Sequence, residues 1–318
     1  MSYKAAVMAR YLVTGGAGFI GSHLVDALIA DGHTVRVLDD MSTGKHENLG
    51  KAVDLLVADV ADQASVRDAL DGVDGCFHLA AIASVERGDR EWSHAHTVNV
   101  TGTIRILEEA RRLRAHTGIP LPVVYASSAA VYGNPAEVPI SESAPTNPVN
   151  TYGVDKLGCD LHAAIGSRVH GLPIIGLRFF NVYGPRQDPR SPYSGVISVF
   201  CERISNGLPV DVHGDGNQVR DFVFVEDTVE ALRLAMRAAM DQTSAIFNVC
   251  SGVGTSINEL ANTIARIKRE PFTPNHALPR PGDIRISVGN PALAHSKLGF
   301  RTRIMLEEGL ARTLEWLH

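Results

Sequence analysis

Tyr11-Leu12-Val13-Thr14-Gly15-Gly16-Ala17-Gly18-Phe19-Ile20-Gly21 reads as a short apolar strand breaking into a glycine-rich turn that opens a helix. The run 11–14 suits a strand buried on both faces of a parallel sheet, and Ile20, Leu24, Ala27 and Leu28 mark the apolar side of the helix that follows. That strand–turn–helix setting turns a glycine pattern into a dinucleotide-binding expectation. Gly15 permits the tight turn, Gly18 lets the backbone approach a pyrophosphate, and Gly21 lets helix and strand pack closely. The free amides and positive end of the helix dipole would face the phosphates. An ordinary β-turn-α connection would show the glycines alone. Here a second strand, 35–39, ends on Asp39, close to the spacing such sites require. A carboxylate there accepts both ribose hydroxyls of NAD and repels the 2′-phosphate of NADP. No arginine directly follows Asp39, so the expected cofactor is NAD.

Outward from this unit, apolar runs alternate with helical periodicity. Strands are expected at 55–58, 76–80, 123–127 and 174–179, and helices at 62–70, 92–114 and 151–169, with Asp62 as an N-cap. Repeated βα units imply an α/β fold, a doubly wound parallel sheet of Rossmann type, with ligands beyond the carboxyl ends of the strands. After Asn181 the rhythm changes. The stretch 184–195 reads as an irregular loop. Helices are expected at 196–204, 229–240, 257–267 and 306–317, and strands at 210–213, 222–225 and 246–249. The expected division is an NAD-binding domain over 1–180, joined by about 226–251, and a smaller mixed α/β substrate lobe from 181–225 and 252–318.

The 318 residues suffice for this plan, and 45% hydrophobic with 20% charged residues is ordinary for a globular protein. A net charge of −5 gives no basic footprint for nucleic acid, and no apolar run approaches membrane-spanning length. The first strand starts near Arg10, so a cleaved signal peptide would remove it. Cys76, Cys159, Cys201 and Cys250 are scattered with no CxxC, which suits a reducing cytoplasm and argues against disulfides or a zinc site. His94 and His96, two residues apart on an expected helix, point to different faces and read as surface residues; no metal is expected.

Tyr152 and Lys156 stand at i and i+4, so phenol and ammonium share a helix face. A free phenol titrates near pH 10, and service as a base near neutrality requires a fall of about three units, roughly 4 kcal/mol. A lysine cation one turn away, with the positive nicotinamide of NAD⁺, can supply it. Ser127-Ser128 ends the preceding strand, so a hydroxyl would meet the same cleft. Serine, tyrosine and lysine on one NAD fold form a hydroxyl-oxidising set.

These segments resemble the extended short-chain dehydrogenase/reductases, and among them the nucleotide-sugar epimerases of the UDP-glucose (UDP-galactose) 4-epimerase type. The matching stretches are 14–21, 78–81, 127–133, 152–156, 178–186, 214–221 and 280–283, in the family's order. The resemblance implies Ser128, Tyr152 and Lys156 as the catalytic set. It implies NAD contacts from Gly15, Gly18, Phe19, Ile20, Asp39, Asp40, Ser42, Gly44, Asp59, Val60, Leu79, Ala80, Ala81, Val98, Tyr152, Lys156 and Phe180. It implies substrate contacts from Ser128, Asn181, Val196, Val212, His213, Arg220, Arg280, Asp283 and Ser287, the arginines suiting a diphosphate. His213 departs from the aromatic residue often found at the uracil position. The position of Ser287 is one where relatives restricted to plain hexoses tend to carry tyrosine. The implied partners are a UDP-sugar and a second copy of the chain, paired through a four-helix bundle of 92–114 and 151–169.

The implied reaction is 4-epimerisation through a transient 4-keto sugar. Competing readings are a 4,6-dehydratase, a UDP-glucuronate 4-epimerase or decarboxylase, a 4-ketoreductase, and a non-catalytic NAD-sensing regulator. Related dehydratases place Asp-Glu after the catalytic hydroxyl, whereas Ala129-Ala130 follow Ser128 and cannot transfer protons. Regulators of this kind typically lose the Tyr–Lys pair, which is present here.

Overall fold

The structure, a computed structural model, describes residues 8–189, 195–271, 274–278 and 284–317. The first half runs β1 (Arg10–Thr14), α1 (Phe19–Ala30), β2 (Thr34–Asp39), β3 (Asp54–Val57), α2 (Gln63–Leu70), β4 (Gly75–His78), α3 (Val85–Arg90), α4 (Trp92–His96), α5 (Gly102–Thr117), β5 (Val123–Ser128), α6 (Thr151–His170) and β6 (Ile174–Phe179). The second runs β7 (Asn181–Tyr183), α7 (Val196–Ser205), β8 (Val210–His213), β9 (Val219–Phe224), α8 (Val225–Met240), β10 (Ala245–Val249), β11 (Gly254–Ser256), α9 (Ile257–Lys268), β12 (Pro274–Ala277), β13 (Ile286–Ser287), α10 (Ala292–Leu298) and α11 (Leu306–Trp316).

Seven strands form one sheet in the order β3-β2-β1-β4-β5-β6-β10, parallel at every pairing. Successive strand residues face opposite sides, and each side finds its own core. Val13, Val37, Phe77 and Val124 pack with Leu24 and Leu28 of α1 and Leu232 and Met236 of α8. Leu12, Leu38, Cys76 and Tyr125 pack on the other face with Val66, Ile106, Leu107 and Ala163. The strand order reverses between β1 and β4, and ligand sites of such sheets lie at that crevice.

Around β9 a smaller sheet gathers β11 antiparallel and β7 and β13 parallel, while β12 pairs with β8. Its core joins Tyr183, Phe200, Phe222, Phe224, Ile257, Leu260 and Leu310, and Phe19 and Ile20 of α1 pack against it. The first turn of α1 therefore lies where the two bodies of structure meet.

Several elements differ from the sequence expectation. The single helix expected over 92–114 is α4, a π-helical turn at Thr97–Thr101, and α5. β4 stops at His78 rather than residue 80, because the Leu79 and Ala80 amides turn to donate to Thr14 Oγ1 at 3.2 and 3.1 Å. β9 begins at Val219, and α8 begins at Val225 with Glu226 and Asp227 in its first turn, where acids suit the positive helix end. The short strands β7, β11, β12 and β13 and the helices α3 and α10 had no counterpart in the sequence reading.

Candidate active site

Gly15 has φ +69°, and a Cβ on it would lie 2.8 Å from the Ala80 amide nitrogen. The glycine turn and the segment after β4 thus meet backbone to backbone. A Cβ on Gly21 would collide with the Gly15 carbonyl, which is the close helix–strand approach expected of it. Gly18 caps α1 in extended conformation with no side-chain cap bond, and a Cβ there would meet only the Gly15 carbonyl at 3.3 Å. The open N-terminal turn of α1 is a cradle that fits a pyrophosphate.

Asp39 is buried, and its two oxygens accept from the amides of Ala17 and Met41, both at 2.9 Å. Burial pushes its carboxyl above the usual range. Each oxygen keeps a further lone pair, so the amides orient the group without exhausting it. A Cβ on Gly44 would press to 2.7 Å from Asp39 Oδ1. Exposed Asp40 accepts from the Ser42 amide and hydroxyl, closing the turn beside it. Asp59 is exposed and accepts from the Ala61 amide, while Val60 and Val98 are buried in the core behind that corner. Leu79, Ala80 and Ala81 are half-buried along the cleft, and buried Phe180 follows β6.

The segment after β4 is fixed from behind by groups the sequence reading did not assign. Thr103 Oγ1 donates to the Asn99 carbonyl at 2.6 Å, so it accepts from His78 Nε2 at 3.0 Å. His78 Nδ1 then accepts from Thr14 Oγ1 at 2.8 Å, which leaves Thr14 to accept from the Leu79 and Ala80 amides. Thr103 and Thr14 each spend their one hydroxyl proton in this chain, which assigns the Nε2–H tautomer to His78. Full burial, with Lys156 nearby, pushes the His78 imidazole down to about 3, so it is neutral. Asn99, in the π-helical turn, accepts from the Ile82 amide at 2.8 Å and donates to the Ile82 carbonyl and Asp155 Oδ2. π-turns recur at functional sites. His96 is exposed but bonds Asp155 at 3.0 Å, and His94 is exposed.

Of the two serines ending β5, Ser127 is buried and Ser128 half-buried, so Ser128 presents its hydroxyl at the edge. Ser128 caps a 3₁₀ turn, Ala129–Tyr132, and accepts from the Ala130 amide at 3.1 Å. That turn packs on the first turn of α6: a Cβ on Gly153 would lie 2.7 Å from the Ala130 carbonyl. Asn150 caps α6 by accepting from the Gly153 amide at 2.8 Å. Tyr152 is half-buried beside this contact. Lys156 is buried, donates to the Ala126 carbonyl of β5 at 2.8 Å, and holds Nζ 5.9 Å from the Tyr152 ring centre. Ser128, Tyr152 and Lys156 are thereby gathered at the carboxyl end of β5.

In the smaller sheet β9 is the organising strand. Asn181 stands opposite Phe222, and Ser287 opposite Arg220. Asn181 is exposed, Arg220 half-buried and Ser287 buried. Val196 opens α7. His213 is half-buried and its Nδ1 bonds the Leu278 carbonyl at 3.1 Å. The Val212 side chain is fully buried in the core of the smaller body, so what Val212 can offer a ligand is its backbone. Strand alternation turns Val212 inward and His213 outward. Arg280 and Asp283 lie outside the described residues.

Residues 11–250 match the model of the NAD dependent epimerase/dehydratase family. A UDP-glucose 4-epimerase of Mycolicibacterium smegmatis is 39% identical, over 96% of this chain and 98% of that protein. A crystal structure of a Thermus thermophilus UDP-glucose 4-epimerase complexed with NAD superposes with a TM-score of 0.88 at 35% identity, covering 96% of this chain and 98% of that one. A UDP-N-acetylglucosamine 4-epimerase from Methanobrevibacter ruminantium, in complex with UDP-N-acetylmuramic acid, does so with 0.90 at 34% identity, covering 98% of each.

Proposed function

The chain belongs to the NAD-dependent epimerase/dehydratase family, and on that footing we propose that it interconverts UDP-hexoses differing at C4, foremost UDP-glucose and UDP-galactose. The observation that carries this is the packing of the Ser128 turn onto the first turn of α6, with Lys156 tied back to β5. It holds a hydroxyl, a phenol and an ammonium at one strand end facing the glycine turn. Ala129 and Ala130, next to Ser128, supply no acid for the C5 and C6 proton transfers of a dehydratase.

NAD, when bound, supplies reversible hydride uptake at the sugar C4. Tyr152 takes the proton from the 4-hydroxyl oxygen and returns it there after the keto sugar has turned over, with Ser128 bridging. Lys156, one helical turn from the phenol, holds the nicotinamide ribose in place. Gly15, Gly18 and the α1 amides hold the pyrophosphate, and Asp39 the ribose hydroxyls. Asn181 and Arg220, with Arg280, hold the substrate diphosphate and nucleoside. The NAD-binding domain comprises 1–180 with about 226–251, the remainder forming the sugar-nucleotide lobe. Four buried free cysteines suit a reducing cytoplasm.

The test is incubation of the purified protein, without added cofactor, with a panel of UDP-hexoses, the products being separated by chromatography beside Tyr152→Phe. General-base catalysis contributes about 10²–10⁴-fold, so that variant loses at least that scale of turnover while keeping its NAD. Near-normal turnover in Tyr152→Phe rejects the assignment.

A further inference from the structure

Asp221 of β9 is fully buried and accepts four hydrogen bonds. Its Oδ1 takes the Ser251 amide at 2.7 Å and the Ser251 hydroxyl at 2.6 Å. Its Oδ2 takes the Gly252 amide at 2.9 Å and the Gly289 amide at 3.2 Å. One carboxylate therefore joins three separate segments: β9 itself, the loop leaving β10 of the large sheet, and the chain just past β13. Both oxygens are fully committed to protein donors, so the group is not a substrate ligand.

What surrounds Asp221 explains its use. Arg220 precedes it on β9 and faces the opposite side of the strand. Ser287 is the register partner of Arg220, and Asn181 that of Phe222. Arg220, Ser287 and Asn181, three of the residues expected to meet the sugar nucleotide, are thus set by the stretch of β9 that Asp221 anchors. The need is greatest at β13, which is two residues long and cannot hold its own register. It is pinned upstream by the Val219 amide donating to the Arg285 carbonyl at 2.9 Å, and downstream by Gly289 on Asp221. Gly289 has no room to shift, since a Cβ there would come within 2.6–2.7 Å of Cys250 and the Phe180 ring.

We propose that Asp221 is a positioning residue of the sugar-nucleotide site, fixing β9 and β13 in the register that sets Arg220 and Ser287 side by side on the substrate wall of the cleft. The proposal rests on the UDP-sugar reading given above. Asparagine at 221 keeps the shape but offers one acceptor oxygen where two donor pairs converge, so one pair faces an amide NH₂. The resulting shift falls on the substrate wall rather than on the glycine turn.

The test compares wild type, Asp221→Asn and Ser251→Ala for NAD content, for kcat and KM with UDP-galactose, and for affinity for UDP by calorimetry. In Asp221→Asn the KM and the UDP dissociation constant rise about tenfold or more, as buried donors left facing an NH₂ would cause, while kcat changes by less and NAD content stays at the wild-type value. Ser251→Ala, which keeps the carboxylate and three of its bonds, gives a smaller rise in the same two quantities. KM and UDP affinity within about twofold of wild type in Asp221→Asn overturn the proposal. So does a fall in NAD content and kcat with KM unchanged, the pattern of general structural damage. If Asp221→Asn does not fold, Ser251→Ala decides, and an unchanged KM and UDP affinity there overturn it. Absence of turnover in wild type strikes the UDP-hexose reading instead, and UDP affinity still reports on Asp221.

Discussion

At the scale of single residues, burial and hydrogen-bond role explain the site better than residue type does. Two predictions belong here. Ser287 stands opposite Arg220 on β13, and serine there leaves room that tyrosine would fill. The enzyme is accordingly expected to accept the N-acetylhexosamine pair as well as plain UDP-hexoses. Ser287→Tyr should abolish turnover of UDP-N-acetylglucosamine and spare that of UDP-glucose, read by chromatography of both. Loss of both activities together, or no wild-type turnover of the N-acetyl substrate, removes Ser287 from that role. The second concerns His78, held neutral with its titration lowered to about 3. Below about pH 6.5 the unfolded chain binds a proton at this imidazole that the native state refuses. Stability is therefore fully present above that pH and falls as pH drops toward 3, by about 1.4 kcal/mol per unit from this group. Denaturant unfolding between pH 6.5 and 4.5 should show a shallower pH slope for His78→Gln than for wild type, and equal slopes refute the assignment.

At the scale of elements, legibility followed local regularity. β1, α1 and β2 were plain because an apolar run, glycines at fixed offsets and a strand-end acid all state one motif. The spacing of Tyr152 and Lys156 needed only the helix that carries them. The π-helical turn was not legible: its signal is the buried bonds of Asn99 to Ile82 and Asp155, made with residues distant in sequence. β7, β11 and β13 are too short to show a period and exist through the ladder of β9. Asp221 sat within a quoted motif, yet its function depends on Ser251 and Gly289, which no spacing reveals. That the Val212 side chain turns inward was not legible either, because a strand's inward and outward faces are settled by tertiary packing.

The pairing surface expected over 92–114 and 151–169 belongs to the same scale. Val154, Leu161, Ile165 and Val169 form an exposed apolar stripe along α6, with Trp92 exposed at the start of α4. α5, expected to share this role, exposes no large apolar side chain. Leu161 is 61% exposed, the kind of apolar surface that marks an association site. A homodimer through a four-helix bundle of these segments and their copies remains the proposal, with the α6 stripe as its apolar contribution, closed two-fold pairs being the commonest assembly. Light scattering at micromolar concentration should give about twice the 34.2 kDa chain mass, and Leu161→Glu should halve it. A monomeric wild type contradicts this.

At the scale of the whole molecule, the proposed function gives different duties to the large sheet and to the structure gathered on β9. The large sheet ends in the glycine turn, Asp39 and the Ser128–Tyr152–Lys156 set, where hydride and proton would move. β9 and its partners would hold the nucleotide. Such a division lets a sugar be gripped by its diphosphate while its ring turns over between two hydride transfers. No helix among the described residues is long and apolar enough to cross a membrane.

The most direct test follows the C4 hydrogen itself. UDP-galactose is incubated with the purified protein in deuterium oxide without added NAD, and the UDP-glucose formed is analysed by proton NMR. Epimerisation through hydride held within the site predicts UDP-glucose carrying protium at C4. Deuterium at C4, or no epimer at all, contradicts it.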